Sequence, residues 1–213
     1  MLNLFLAGQI NLVGFLILAT SLLLAISIHE MSHGLVAAKL GDQTAKLAGR
    51  LTLNPLSHLD PLGTFFLLVF GFGWGKPVPI NPLFFKNIKR DSALVALAGP
   101  GSNFVMAILF SIVYRIINPN FGLIYSTVLL FIYFNLLLGL FNLLPFGPLD
   151  GFKIVGGLLP LELSRQWAQN ELISLALLFA ILILPVNGVP IINFILNPIL
   201  RFFMTLLTGS PFA

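Results

Sequence analysis

The side chains best suited to chemistry in this sequence are His29, Glu30 and His33. Residues four apart lie on one face of a helix, so the two imidazoles can bind a single metal ion. Glu30 follows the first histidine and is then directed toward water in the open coordination position. A His-Glu-x-x-His of this kind is typical of a hydrolytic zinc site in which the glutamate acts as a base.

The surroundings of this motif are apolar. The run from Asn11 to Ile28 carries no formal charge and is followed by the motif, Lys39 and then Gly41-Asp42. We predict one long helix over 11–40 that spans a membrane and ends at the glycine. Ionisable groups at membrane depth cost about 3 kcal/mol each, so the motif is a functional candidate by position as well as by pattern.

The composition indicates a polytopic membrane protein. Of 213 residues, 58% are hydrophobic and 8% are charged, whereas a soluble domain has roughly 25% charged residues. The chain has no cysteine, so any metal must be held by His, Asp or Glu. The net charge of +4 is small and the basic residues follow the loops, which indicates orientation in a membrane and no nucleic-acid partner. The first apolar run lacks a basic leader and a small-residue cleavage site, so we expect it to be retained.

The pattern predicts a single all-α domain over 1–213 with about five to six membrane segments, comprising a catalytic core of about 10–160 and a helical hairpin of about 171–207. Residues 1–9 are expected to form an interfacial lead-in. Further segments are expected as full spans at 92–117, interrupted by Gly99-Pro100-Gly101, and at 123–144, and as an amphipathic interfacial stretch at 152–170.

Between the first and second full spans, the sequence predicts a short β or re-entrant loop region. Loose alternation over 43–56 indicates either a short strand, whose edge could pair with an extended substrate, or an amphipathic loop. The apolar stretch 62–74 is short for a crossing and is typical of a re-entrant or surface segment.

Three features together resemble the site-2 protease family of intramembrane zinc metalloproteases, in its minimal bacterial type without a PDZ or CBS domain. They are the His-Glu-x-x-His in a membrane helix, the box Ala98-Gly99-Pro100-x-x-Asn103, and Asn142 eight residues before Leu149-Asp150-Gly151. The stretch Gly75-Lys-Pro-Val-Pro-Ile-Asn-Pro also fits. The resemblance covers about 20–160, and the tail from 171 is not diagnostic.

The resemblance implies that His29, His33 and Asp150 bind one Zn²⁺ per chain and that Glu30 is the catalytic base. It makes Asn142 a candidate for stabilising the tetrahedral intermediate. The implied activity is regulated intramembrane proteolysis, with transmembrane proteins as substrates and the lipid bilayer as surroundings.

Purely structural roles stay open as alternatives for several of these polar residues. Asp150 could be only a cap or turn residue, and Asn142 could satisfy backbone groups freed by Pro145. His58 is expected to have a structural role or to support the site without binding the metal, because three ligands already leave the open position that a hydrolytic zinc needs. Protonated His58 also stays open, beside Asn142, as a donor to the developing oxyanion. Asn103 is expected to make an interhelical hydrogen bond.

Topology and orientation follow from chain direction. Asp150 can meet the histidines only if the helices over 11–40 and 123–144 end on the same side, which requires that 62–74 does not cross. Most Lys and Arg residues fall on that side, so we expect an integral protein of the bacterial cytoplasmic membrane with its site toward the cytoplasmic leaflet.

Two other functions compete with proteolysis. A metal transporter or channel could use the same side chains, although its ionisable residues should be distributed along a path through the membrane. A catalytically silent binder of membrane proteins would have no need of Glu30 beside the metal.

Overall fold

A computed structural model describes residues 8, 11–70, 73–117 and 120–210, without the side chains of 67–70. Apart from Gly8, the expected lead-in over 1–9 lies outside the described residues. Among the described residues, four helices are long and apolar enough to cross a membrane, or five if one bent pair counts as a span. The four are α1 (Leu12–Lys39), α4 (Ile88–Ile116), α5 (Gly122–Asn142) and α9 (Ile191–Thr208). The expectation of an all-α polytopic membrane protein is therefore confirmed.

Helix α1 begins and ends where the sequence predicts. The side chain of Asn11 caps it by accepting a hydrogen bond from the Gly14 N–H (2.8 Å). The helix ends at Leu40, and Gly41 follows with a φ of +114°, a conformation that side chains disfavour. At about 1.5 Å per residue its 28 residues are long enough to cross a hydrocarbon core of about 30 Å and extend beyond it.

The stretch 43–56 forms a loop with helical turns, and the alternative of a strand is wrong. The chain enters helix α2 (Thr44–Leu47) and later a 3₁₀ turn at Pro55–His58. The reason is a local turn, because the carboxylate of Asp42 accepts hydrogen bonds from the backbone N–H (2.9 Å) and the hydroxyl of Thr44, two residues further on. Those bonds favour a helical turn over an extended strand.

Helix α3 (Pro61–Phe70) lies in a segment whose two ends are adjacent in space. Leu59 and Gly75 form an antiparallel bridge, and the Lys76 N–H donates to the His58 carbonyl (2.8 Å). We call these contacts the neck. Ten residues of helix span about 15 Å, half of a hydrocarbon core of about 30 Å. The segment over 62–74 therefore agrees with the expectation that it does not cross.

Helix α4 runs unbroken through Pro100, so the predicted interruption at 99–101 is wrong. A proline inside a helix removes one N–H donor, and the rest of this helix outweighs that local loss. Its start is well capped, since the Asn87 side chain accepts from the Arg90 N–H and the Asp91 carboxylate accepts from the Asn87 N–H (both 3.0 Å).

Helix α4 lies between α1 and α5, and α9 packs mainly against α5. The main apolar cluster joins α4, α5 and α9 through fully or nearly fully buried side chains, among them Ala107, Ile132, Leu136, Leu200 and Met204. At one end the guanidinium of Arg115 donates to the carbonyls of Leu206 (2.8 Å) and Leu207 (2.9 Å). These bonds join the C-terminal ends of α4 and α9.

The expected amphipathic stretch over 152–170 forms two short helices separated at Pro160, namely α6 (Asp150–Leu158) and α7 (Leu161–Gln169). Helix α8 (Glu171–Ile183) follows α7 with a bend of 58°. A two-stranded hairpin of β1 (Pro185–Val186) and β2 (Val189–Pro190) then leads into α9. Helix α6 packs on α4, and this contact brings Asp150 to the C-terminal part of α1.

Candidate metal centre

Three buried side chains from two separate parts of the chain meet at one point. The Nε2 atoms of His29 and His33 lie 3.1 Å apart, and the Asp150 carboxylate oxygen Oδ2 lies 3.2 Å from each of them. The histidines project from consecutive turns of α1, and Asp150 is the first residue of α6. These three residues form a group able to hold a metal ion among the described residues.

The dimensions of this group fit a zinc ion. Four ligands at about 2.0–2.1 Å in a tetrahedron are separated from one another by about 3.3 Å. The three donor atoms therefore already form one face of such a tetrahedron. The Asp150 Oδ2 atom is buried and makes no hydrogen bond with the described residues, which is costly for a carboxylate unless a cation compensates it.

Both imidazoles are oriented by acceptors at their other nitrogen. The Nδ1 of His29 lies 2.7 Å from Asn103 Oδ1, and the Nδ1 of His33 lies 2.7 Å from the Val95 carbonyl. A carbonyl oxygen can only accept, so each Nδ1 carries the hydrogen and donates. The Nε2 lone pairs then point toward Asp150 and are available to a metal.

Asn103 belongs to a buried chain of amides that the sequence revealed only in part. Its Nδ2 donates to Asn135 Oδ1 (3.0 Å) and to the Ala25 carbonyl (3.4 Å), and Asn135 donates to the Phe131 carbonyl (2.8 Å). The expected interhelical hydrogen bond of Asn103 is confirmed. Sequence reasoning missed Asn135, although an amide inside an otherwise apolar span was the signal available.

Gly99 lets α4 approach the two imidazoles. A Cβ added at Gly99 would collide with His33 Nε2 and with the Cε1 atoms of both rings, whereas one added at Gly101 would meet nothing within 4 Å. The box that contains Gly99 therefore contributes close packing at the metal centre.

Glu30 lies in the cavity that opens onto this centre. The cavity has a volume of about 300 Å³ and is lined by His29, Glu30, His33, Val78, Asn142, Asp150, Lys153 and neighbouring residues. The Glu30 carboxylate accepts a hydrogen bond from the Val78 N–H (2.9 Å). The chain just after the neck thus forms a wall of the cavity and contacts the glutamate directly.

Asn142 also lines the cavity, at the C-terminal end of α5. Its Nδ2 donates to the Leu138 carbonyl (3.0 Å) of its own helix. An amide nitrogen carries two hydrogens, so one remains to bind another acceptor in the cavity.

His58 does not join the metal group. It is fully buried, its Nε2 lies 2.8 Å from the Thr52 carbonyl, and it does not line the cavity. Its position at the neck agrees with the structural role expected from the sequence.

One carboxylate outside the spans has a lowered pKa. Burial would raise the pKa of Asp42, but hydrogen bonds from Thr44 and from the Asn81 N–H (2.7 Å) outweigh burial and hold the pKa below its usual range. Asp42 thereby ties the end of α1 to the segment that carries Val78.

Two imidazoles, a carboxylate and an adjacent glutamate inside an apolar helical bundle define a membrane-embedded, metal-dependent hydrolase. Comparison with known proteins agrees. The chain is 37% identical over 211 residues to the candidate zinc metalloprotease YwhC of Bacillus subtilis, covering 93% of this chain and 95% of YwhC. It is 28% identical over 182 residues to the candidate zinc metalloprotease Rip2 of Mycobacterium tuberculosis, covering 82% of this chain and 70% of Rip2.

A more distant relative is the zinc metalloprotease MJ0392 of Methanocaldococcus jannaschii, with 28% identity over 79% of this chain and 43% of MJ0392. No family profile and no solved structure matches the chain. The similarity to YwhC shows that the chain belongs to the site-2 protease family of zinc metalloproteases. It is a hydrolase that uses Zn²⁺.

Proposed function

We propose that this protein hydrolyses peptide bonds within or near the transmembrane helices of other membrane proteins, with zinc held by His29, His33 and Asp150 and with Glu30 as the general base. One observation carries the proposal. The Asp150 Oδ2 atom is buried without a hydrogen-bond partner among the described residues and lies 3.2 Å from both imidazole Nε2 atoms.

The three ligands suit a hydrolytic zinc and not a structural one. Three protein donors leave a fourth position for water, whereas structural sites use four. When bound, Zn²⁺ supplies a Lewis acid that polarises the scissile carbonyl and makes a water molecule acidic enough to react near pH 7. The Nδ1 contacts with Asn103 and Val95 fix the tautomer and the orientation of both imidazoles, so that each Nε2 would face the ion.

Glu30 is the side chain of this cavity best suited to move the proton. It neighbours His29 in sequence and lies in the same cavity as the donor group, and the Val78 N–H holds one of its carboxylate oxygens. Its other oxygen takes the proton from the attacking water and later delivers it to the departing amine nitrogen. A glutamate without its charge could not do the first of these steps.

Asn142 is the candidate for binding the oxyanion. It lines the cavity, and one of its two amide hydrogens is not needed by Leu138. A preorganised donor aimed at the developing negative charge lowers the barrier of acyl transfer.

The depth of the site indicates the substrate. The two histidines of the donor group lie on α1, an apolar helix long enough to cross the membrane, so the peptide must reach them from within the bilayer. A helical substrate hides its carbonyls in its own hydrogen bonds and must unwind before it is cut. Since the basic residues cluster on the side of the site, we propose that the protein lies in the bacterial cytoplasmic membrane with the site toward the cytoplasmic leaflet.

The test compares the parent protein with Glu30→Gln in liposomes that contain a transmembrane substrate peptide. We expect about one bound zinc per chain in both proteins and cleavage by the parent alone, since Gln keeps the shape of Glu but cannot accept the proton. The matched control is Glu162→Gln, which removes an exposed carboxylate of α7 that forms an ion pair with Arg165. This control should cleave like the parent.

Two results would refute the proposal. Cleavage by Glu30→Gln at the parental rate would remove Glu30 from the mechanism. Zinc binding that survives His29→Ala or Asp150→Ala unchanged would show that the metal lies elsewhere. Zinc-dependent ion flux in the same liposomes, without cleavage of any peptide, would favour the transport alternative.

A further inference from the structure

We propose that one face of α9 is a docking surface for a transmembrane helix of another protein that carries a single carboxylate at mid-membrane depth. We call this face the polar face of α9 and define it by Asn193, Asn197, Arg201 and Thr205. The proposal is independent of proteolysis, because α9 packs on α5 and α4 and contributes no residue to the metal cavity.

The spacing of these residues puts them on one side of the helix. They recur every four residues, and Asn197, Arg201 and Thr205 are exposed while Asn193 is half-buried. The side of α9 that faces the protein core is made instead by Ile192, Leu196, Leu200 and Met204, all buried. The polar residues therefore lie away from the core, where a lipid-facing helix normally carries apolar side chains.

The positive charge of Arg201 has no partner within the described part of the chain. The side chains of Asn193, Asn197 and Arg201 make no hydrogen bond or ion pair there, in contrast to Arg115, which binds two carbonyls at the end of the same helix. Two shallow depressions, both lined by Pro198 and Arg201, flank the face. Pro198 also leaves the Phe194 carbonyl without its usual helical donor.

The position of Arg201 along α9 makes escape to water difficult. Arg201 is seven residues from the helix end at Thr208, which corresponds to about 10 Å. The Cα–Cβ bonds of a helix tilt toward its N-terminus, so the side chain of Arg201 leaves the backbone in the direction away from the nearer end. Arginine at this depth is expensive unless an anion or other acceptors meet it.

Charge complementarity identifies the occupant. If a second copy of the chain docked through a two-fold axis along the membrane normal, the Arg201 residues of the two copies would lie at the same depth. Their positive charges would then repel each other. A partner helix with one Asp or Glu at that depth would neutralise Arg201, and its neighbouring polar groups would pair with Asn193 and Asn197.

The test measures helix association in phosphatidylcholine vesicles. Since the chain has no cysteine, Ser210→Cys accepts a single fluorescent label at the end of α9. The probes are two labelled transmembrane peptides of leucine and alanine that differ only in one central residue, Glu or Gln. We expect the parent to bind the Glu peptide at least about tenfold more tightly, which corresponds to about 1.4 kcal/mol.

The variants separate charge from packing. Arg201→Gln should lose the preference for the Glu peptide, Arg201→Lys should keep most of it, and Phe202→Leu, which alters an exposed apolar neighbour, should bind like the parent. Equal binding of both peptides by the parent would overturn the proposal. So would fluorescence energy transfer between labelled copies of the protein that depends on Arg201, which would assign the face to a second copy. In vesicles that also contain phosphatidylglycerol, Arg201-dependent enrichment of this lipid around the protein without any peptide preference would likewise overturn the proposal and assign the face to lipid.

Discussion

The hydrogen bond between Asn103 and His29 should control zinc affinity more than any other contact outside the donor group. Asn103 Oδ1 lies 2.7 Å from His29 Nδ1, and both residues are almost completely buried. In Asn103→Leu the imidazole loses the acceptor that fixes its orientation and its tautomer. Loss of such a partner lowers metal affinity by about 10–100-fold, which corresponds to about 1.4–2.7 kcal/mol.

The structure provides two controls for this substitution. Asn135→Leu removes the partner of the Asn103 Nδ2 atom and leaves the contact with His29 in place. Zinc affinity should therefore change by less than about threefold, while the free energy of unfolding should fall by about 1–3 kcal/mol. Asn103→Asp keeps an acceptor for His29 but cannot donate to Asn135. It should therefore keep most of the zinc affinity while losing stability.

The assay is competition for zinc with a chelating indicator in lipid nanodiscs, with thermal unfolding in the absence of metal measured in parallel. The parallel measurement separates loss of folding from loss of orientation. Equal zinc affinity in folded Asn103→Leu and in the parent would refute the role given to this contact. Equal losses in Asn103→Leu and Asn135→Leu would show that the amide chain acts through packing alone.

Three further predictions concern the surroundings of the site. Gly99→Ala should abolish zinc binding because its Cβ collides with both imidazoles, whereas Gly101→Ala, which meets open space, should bind zinc like the parent; zinc content of the purified variants decides this. The lowered pKa of Asp42 means that its bonds stabilise the fold above about pH 4 and are lost as the pH falls further, so the gap in unfolding temperature between the parent and Asp42→Asn should narrow from pH 7 toward pH 3. A gap that widens on acidification would contradict this sign. Placing Gly or Pro near the cut of a helical substrate should raise the initial cleavage rate in liposomes, because either residue costs about 1–3 kcal/mol of helix stability, and no increase at any position would argue against local unwinding.

The sequence predicted the parts of the site that depend on local periodicity. Residues 29 and 33 meet on α1 because a helix repeats every 3.6 residues, and the end of that helix follows from Gly41. The contact of Asp150 with both histidines depends on how α6 packs on α4, and no local rule gives that packing. It was anticipated only through the family resemblance and the direction of the spans.

The errors have local physical causes. The alternation over 43–56 indicates a strand equally with a loop, and the hydrogen bonds from Thr44 to the Asp42 carboxylate favour the helical turn. Gly99-Pro100-Gly101 indicated a break, yet the helix continues and the glycine contributes close approach instead. Asn135 was overlooked because one amide in an apolar span gives no periodic signal.

The neck separates the segment between Leu59 and Gly75 from the chain that follows it. The bridge between Leu59 and Gly75 and the hydrogen bond from Lys76 to His58 hold the two ends of the intervening segment together, so that this segment forms a closed loop with the neck as its base. Lengthening or shortening the chain inside this loop leaves the spacing between the base and Val78 unchanged, and with it the bond to Glu30. The loop is therefore a place where evolution or engineering can change the contacts of the protein with the bilayer without changing the proposed catalytic groups.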